Sequence, residues 1–275
     1  MTSLPRPFKK LLFGFAFSPT LEDNLHEATR LAHYFNATLI LLHVGEKTKD
    51  KTDKLQNLLA KIEFRDVPIT IRWEEGKPEN IILQNCSNLE VDLLILGALQ
   101  HENLYQFYVG TLARKLTRKV GCSVLLLIKP SAVRVRCQHI VVNGLDAPET
   151  PVAIMDAFYM AYALGAQQIT IVEEIRPGEV HVTVEDDRSL KKATQKKAEL
   201  KSREDERVRH ILDEIPAILR PGIRVKMQSI FGKRGYSIGH YAEVVRADLL
   251  VMNAPHGSTL LDRIFPHDIE YILSD

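Results

Sequence analysis

Gly97 closes the apolar run VDLLILG, and Gly110 directly precedes Thr111 at the head of TLARKLTRK. Glycines let a chain turn tightly and let its backbone approach an anion closely. Backbone N–H groups and a helix N-terminus then face a phosphate, and a hydroxyl at the helix start adds a donor. The chemistry these residue types offer is anion binding, not bond breaking.

Other reactive residues form no recognisable catalytic pattern. GKRG at 232–235 lacks the hydroxyl and the spacing of a Gly-x-x-x-x-Gly-Lys-Ser/Thr phosphate loop and reads as a turn, although Lys233 and Arg234 offer positive charge. His256, Asp262, His267 and Asp268 are metal-ligand types, but their spacing matches no strong metal pattern. His43 lies among apolar strand residues and reads as a core histidine. Ser18 precedes Pro19 without the Gly-x-Ser-x-Gly context of a nucleophile and reads as a turn or cap. No carboxylate pair is placed for acid–base work. A noncatalytic protein is expected.

The chain has 275 residues, with 36 Lys+Arg against 35 Asp+Glu. That balance gives no bulk attraction to nucleic acid or to a membrane surface. Cys86, Cys122 and Cys137 form no Cys-x-x-Cys pair, so unpaired thiols in a reducing compartment are expected. MTSLPRPFKK does not read as a signal peptide, and no apolar run approaches the ~20 residues that span a bilayer. A cytoplasmic protein is expected.

The elements that must position Gly97 and Thr111 alternate strand with helix. Leu11–Phe17 reads as a buried strand. Leu21, Leu25, Ala28, Ala32 and Phe35 then share one helical face, with Thr20 and Asp23 as a capping box. Strands follow at 37–44 and 68–73, with a lysine-rich loop at 45–53 and a helix through Leu55, Leu58, Leu59 and Ile62 between them. Pro78 opens a further helix. Asp92 precedes the strand 93–96, Thr111–Lys119 is a helix with Leu112 and Leu116 inward, and 122–128 is a fifth strand. Strands this continuously apolar are buried on both faces, which predicts a mostly parallel sheet between helices.

The plan then repeats. VVNGLDAPE at 141–149 echoes LLFGFAFSP, and ADLLVMN at 247–253 echoes VDLLILG. Gly14 and Gly144 are 130 residues apart, whereas Asp92 and Asp248 are 156 apart, so the second copy carries 26 extra residues. They fall at about 179–209: a flap or hairpin near 178–184, then a charged stretch running into a long helix through Val208, Ile211, Leu212 and Ile215. This stretch reads as a solvated face, with partner contact as the alternative. The expected fold is α/β, with two doubly wound, mostly parallel sheets in tandem. The expected domains are 1–130 and 137–275, each nucleotide-binding-like and three-layered, the second without an evident final strand.

With LILLHV at 39–44, EGKPENII at 75–82, VDLLILG at 91–97 and GTLARKLTRKVGCSVLLL at 110–127, the chain resembles the universal stress protein family in its tandem form. That family's later loop runs Gly-x-x-Gly, nine residues, then Gly and Ser or Thr. Gly97, Gln100, Gly110 and Thr111 fall at those places, with glutamine for the second glycine. The resemblance also implies that Val44 contacts adenine. Where the nucleotide binders carry an aspartate after the first strand, this chain has Ala16. The second copy keeps that aspartate as Asp146, for which the plain reading is a turn or cap residue. It loses the later loop: Asn253 and His256 replace glycines, and Pro266 and His267 replace the Gly–Ser/Thr pair. Proline has no N–H to offer a phosphate.

The resemblance therefore implies a cytoplasmic stress-response or signalling protein, noncatalytic, with degenerate adenine-nucleotide sites. The candidate nucleotide-binding residues are Val44, Gly97, Gln100, Gly110, Thr111 and Asp146, with ATP as the candidate ligand. The alternatives are an ATP sensor using the first domain and an interaction scaffold using the charged insertion. No nucleic-acid or membrane partner is expected. Pairing of the two domains within the chain is expected, with a homodimer as a further option for covering a sheet edge.

Overall fold

The computed structural model describes residues 8–100, 107–108, 111–133, 136–175, 178, 186–232 and 236–253. They fall into two compact units, 8–133 and 136–253.

In the first unit, β1 (Lys10–Phe15), α1 (Leu21–Phe35), β2 (Thr38–Val44), α2 (Lys49–Ala60), β3 (Ile69–Glu74), α3 (Pro78–Asn88) and β4 (Leu93–Gly97) follow in order. A short antiparallel ribbon, β5 (Leu99–Gln100) with β6 (Phe107–Tyr108), precedes α4 (Thr111–Lys119) and β7 (Ser123–Leu127). The sheet is parallel throughout, in the order β3-β2-β1-β4-β7. Leu11, Leu12, Leu39, Leu41, Leu94 and Ile95 are buried in it, on its two faces, and Leu21, Leu25, Ala28, Ala32 and Phe35 form the buried stripe of α1. Each such leucine, isoleucine or phenylalanine contributes about 1.5–3 kcal/mol on leaving water.

Local sequence explains the element ends. Asn36 takes the left-handed conformation that closes α1 (φ 51°), and Gly165 does so for α5 (Thr150–Leu164; φ 75°). Pro78 occupies the first turn of α3, where its missing N–H costs nothing.

Four local expectations change. Thr20 does not cap α1 with its side chain; its Oγ1 faces Ser18 Oγ (3.2 Å) and accepts from Asn24 Nδ2 (3.2 Å), while Asp23 Oδ1 accepts the Ala132 N–H (3.0 Å). The lysine-rich loop turns helical at Lys49, because Thr48 Oγ1 accepts the Lys51 N–H (3.3 Å) and caps α2. Leu112 faces outward, and Ala113 and Leu116 carry the buried stripe of α4. The ribbon β5–β6 stands inside the stretch read only as a loop.

The second unit runs β8 (His139–Asn143), α5, β9 (Gln168–Ile175), α6 (Asp187–Asp213), a 3-10 turn at Ala217–Leu219, β10 (Arg224–Phe231), α7 (Tyr236–Val244) and β11 (Leu249–Val251). Its sheet is parallel, β10-β9-β8-β11. Both sheets are flanked by helices, giving two doubly wound α/β units. The inserted charge run is α6, 27 residues long and opened by a capping box between Asp186 and Ser189. The proposed flap at 179–184 and everything after Asn253 lie outside the described residues.

Candidate functional site

Strand order marks where the candidate site lies. From β1 the chain passes to β2 on one side, and β4 lies on the other, so the connections diverge at the carboxyl ends of β1 and β4. Open α/β sheets bind ligands in that crevice. Val44 ends β2, Gly97 ends β4, and Ala16 follows the end of β1. Val44 is half-buried and Ala16 is exposed. Thr111, also exposed, is the first residue of α4, and helix starts carry free N–H groups. Gln100 lies in β5, with its backbone opposite Phe107. Gly110 lies outside the described residues. Asp146 belongs to the other unit.

The strand ends of the first unit are packed by the chain's own side chains. Asn24 of α1 is buried, and a Cβ on Gly97 would meet its Nδ2 at 2.8 Å. The amide thus fills the close-approach space that the glycine leaves. Asn24 Oδ1 is buried without a hydrogen-bond partner, so the filling is polar but incompletely satisfied. At the ends of β1, β2 and β3, Phe15, Phe17, His43 and Trp73 pack on one another, with Phe17 stacked on Trp73 at 6.0 Å and His43 5.0 Å from both rings. His43 Nδ1 lies 3.1 Å from the Phe15 carbonyl, an acceptor, so Nδ1 carries the proton. Burial holds this imidazole below its usual pKa, aided by Lys51 and opposed by the Phe15 bond. Ala16 offers no acceptor to a ribose.

In the second unit, the strand ends are occupied by the chain's own side chains. The Arg207 guanidinium of α6 donates to the Gly144 carbonyl just beyond β8. Its Nε lies 3.0 Å from Glu204 Oε2 and 3.9 Å from Asp146 Oδ1. Ala193 and Leu200 of α6 bury Ile175, the last residue of β9. Lys197 Nζ stands 5.2 Å from the ring of Phe231, the last residue of β10. One helix therefore touches the ends of three neighbouring strands. Ile175 corresponds by strand register to Val44, because Phe13 pairs with Leu41 and Asn143 with Val172. Asn253 Nδ2 donates to Thr150 Oγ1 (2.7 Å), tying the residues after β11 to the start of α5. Asp146 is largely exposed and caps no helix; α5 is preceded by Glu149.

Sequence reasoning missed the buried acids of the second unit, Glu173 and Glu174 on β9 and Glu204 on α6. Glu173 and Glu204 are 2% and 8% exposed. Burial pushes the Glu173 carboxyl up to about 7; Ser229 opposes the shift, Asp205 and Glu204 reinforce it, and Arg207 opposes it. Ser229 Oγ donates to Glu173 Oε2 (3.1 Å). Glu174 Oε1 accepts the Ile238 N–H (2.8 Å) in the first turn of α7. The available signal was QITIVEEI, a strand whose apolar run ends in two acids. Among the described residues, no group of three or more His, Cys, Asp or Glu could hold a metal ion, and no helix is long and apolar enough to cross a membrane.

Residues 7–127 match the universal stress protein family. The first unit is a universal stress protein domain. The chain as a whole has the tandem form of this fold. It aligns with a protein of unknown function from Pseudomonas aeruginosa PAO1 at TM-score 0.69 and 15% identity, over 97% of this chain and 89% of that one. It aligns with a universal stress protein from Archaeoglobus fulgidus DSM 4304 at TM-score 0.63 and 13% identity, over 96% and 92%. A search of curated proteins found no match. At these identities the likeness speaks for the fold.

Proposed function

We propose that this tandem universal stress protein is a noncatalytic cytoplasmic regulator whose second unit has given up nucleotide binding to its own inserted helix. The observation that carries the reading is the placement of α6 across the ends of β8, β9 and β10, through Arg207 on Gly144, Leu200 on Ile175 and Lys197 over Phe231. A nucleotide entering there would have to displace buried apolar contact and a charge-assisted hydrogen bond. The substitutions at Asn253, His256, Pro266 and His267 point the same way. The first unit keeps an anion-binding helix start at Thr111 but lacks the ribose acceptor at Ala16, so adenine-nucleotide affinity there is reduced.

A nucleotide-sensing first unit is the second reading, favoured by the exposure of Thr111 at the head of α4. Titration of ATP with magnesium into the full chain, by calorimetry and thermal unfolding together, separates the readings. The proposal expects at most weak binding, with no more than one nucleotide per chain, abolished by Thr111→Asp. That substitution suits a helix start but repels phosphate. Micromolar affinity lost in T111D would establish the sensor. Two nucleotides per chain would overturn the closure of the second unit.

A further inference from the structure

We propose that Cys86 and Cys122 form a dithiol that a hydroperoxide oxidises to an intramolecular disulfide. The two cysteines are 36 positions apart in the chain, and the fold brings them beside the neighbouring residues Val91 and Asp92. Cys86 lies in the last turn of α3, and its carbonyl accepts the Val91 N–H (2.9 Å), which folds the chain back toward β4. Cys122 directly precedes β7, whose register pairs Leu93 with Ser123, so Cys122 runs beside Asp92. The turn after α3 and the start of β7 therefore meet at the amino end of the sheet. Both cysteines are free thiols.

The two sulfurs are unlike. Cys86 is 5% exposed, whereas Cys122 is half-buried and open to a small oxidant. Interaction with the Cys86 thiol holds Cys122 below the usual thiol range; burial and Asp92 oppose this, and the backbone of Leu94 and of Cys122 itself assists it. The same interaction, with burial, pushes Cys86 up. Thiolate character and access select the attacking sulfur.

The Cys122 thiolate attacks one oxygen of hydrogen peroxide. The O–O bond breaks, and the leaving hydroxide takes a proton to become water. Cys122 is then a sulfenic acid. The Cys86 sulfur attacks Cys122 Sγ, the S–O bond breaks, and the oxygen departs as water with the Cys86 proton. Two thiols and one peroxide yield one disulfide and two waters, with the sulfurs losing two electrons in total. The covalent ring so closed contains β4, the whole candidate anion stretch 97–111, and α4. Oxidation would thus act on the segment that carries Thr111, independently of whether a nucleotide binds there.

The test treats the full reduced chain with stoichiometric hydrogen peroxide, blocks free thiols, and maps peptides by mass spectrometry. The expected product has lost two hydrogens, links the Cys86 and Cys122 peptides, leaves Cys137 alkylatable, and returns to the dithiol with dithiothreitol. Cys86→Ser is expected to leave a sulfenic acid at Cys122 that dimedone traps. Oxidation of Cys122 to sulfinic acid beside an alkylatable Cys86, disulfides through Cys137, or two unreacted thiols would each overturn the proposal. The decisive sample is the unaltered chain, so a poorly folding variant does not decide the outcome.

Discussion

Asp92 and Asp248 hold the same station in the two units. Asp92 Oδ2 accepts the backbone N–H groups of Lys9 and Lys10, each at 2.9 Å. Asp248 Oδ2 accepts those of Gln138 and His139, at 2.8 and 2.9 Å. Each carboxylate therefore clamps the start of its unit's first strand to the start of the neighbouring strand. Charge-assisted bonds to backbone donors are stronger than neutral ones. Asp92→Ala and Asp248→Ala are each expected to cost about 1–3 kcal/mol. Urea denaturation followed by probes in each unit checks this; a loss below a few tenths of a kcal/mol at both positions would contradict the clamp.

Glu173 makes stability depend on pH near neutrality. Its folded value of about 7 is above the ordinary 4.5, so the folded state holds the proton more tightly than the unfolded chain. The associated stability is fully present below pH 4.5 and is lost as pH rises through 7. The difference corresponds to about 3 kcal/mol by pH 8. Asp205 and Glu204 add to the loss by repulsion, and Arg207 offsets part of it. Glu173→Gln should flatten the decline in unfolding free energy between pH 5 and pH 8. An unchanged profile in the variant would assign the decline to another group.

Arg207 joins α6 to the strand ends. Removing it leaves Glu204, 8% exposed, with Arg203 alone, whose Nη2 is 2.8 Å away, and deletes the bond to the Gly144 carbonyl. Breaking a buried ion pair from one side costs several kcal/mol; because Arg207 is partly exposed, about 2–3 is expected for Arg207→Ala. Hydrogen exchange should accelerate along α6 more than in β8 or β9. Uniform acceleration across the unit would mean that α6 does not open separately.

Asn24 and Gly97 should be energetically coupled. A methyl group at residue 97 would lie 2.8 Å from Asn24 Nδ2, so Gly97→Ala alone is expected to cost about 1–3 kcal/mol through overpacking. Asn24→Ala removes the obstruction. In the double variant the Gly97→Ala cost should shrink by at least about 0.5 kcal/mol. Strict additivity would show that the two residues do not share this space.

The sequence by itself determined the repeating strand–helix order, the burial of the inner strands β1, β2, β4, β8 and β9, and the homologous stations of Gly14 with Gly144 and Asp92 with Asp248. These follow from hydrophobic period and turn chemistry, which are properties of neighbouring residues. By contrast, β3, β7, β10 and β11 are more exposed than their apolar runs suggest. LLILG can only be a strand buried on both faces, and Asn36 and Gly165 are local stop signals. The tertiary structure alone decided what occupies the carboxyl ends of those strands. REDERVRH reads as a solvated face until α6 is laid on Gly144 and Ile175, which turns Glu204 inward and Arg207 onto a carbonyl. Cys86 and Cys122 read as isolated thiols until the turn after α3 reaches the start of β7. Such meetings depend on how elements distant in sequence pack, and no period or motif within a single element carries that information.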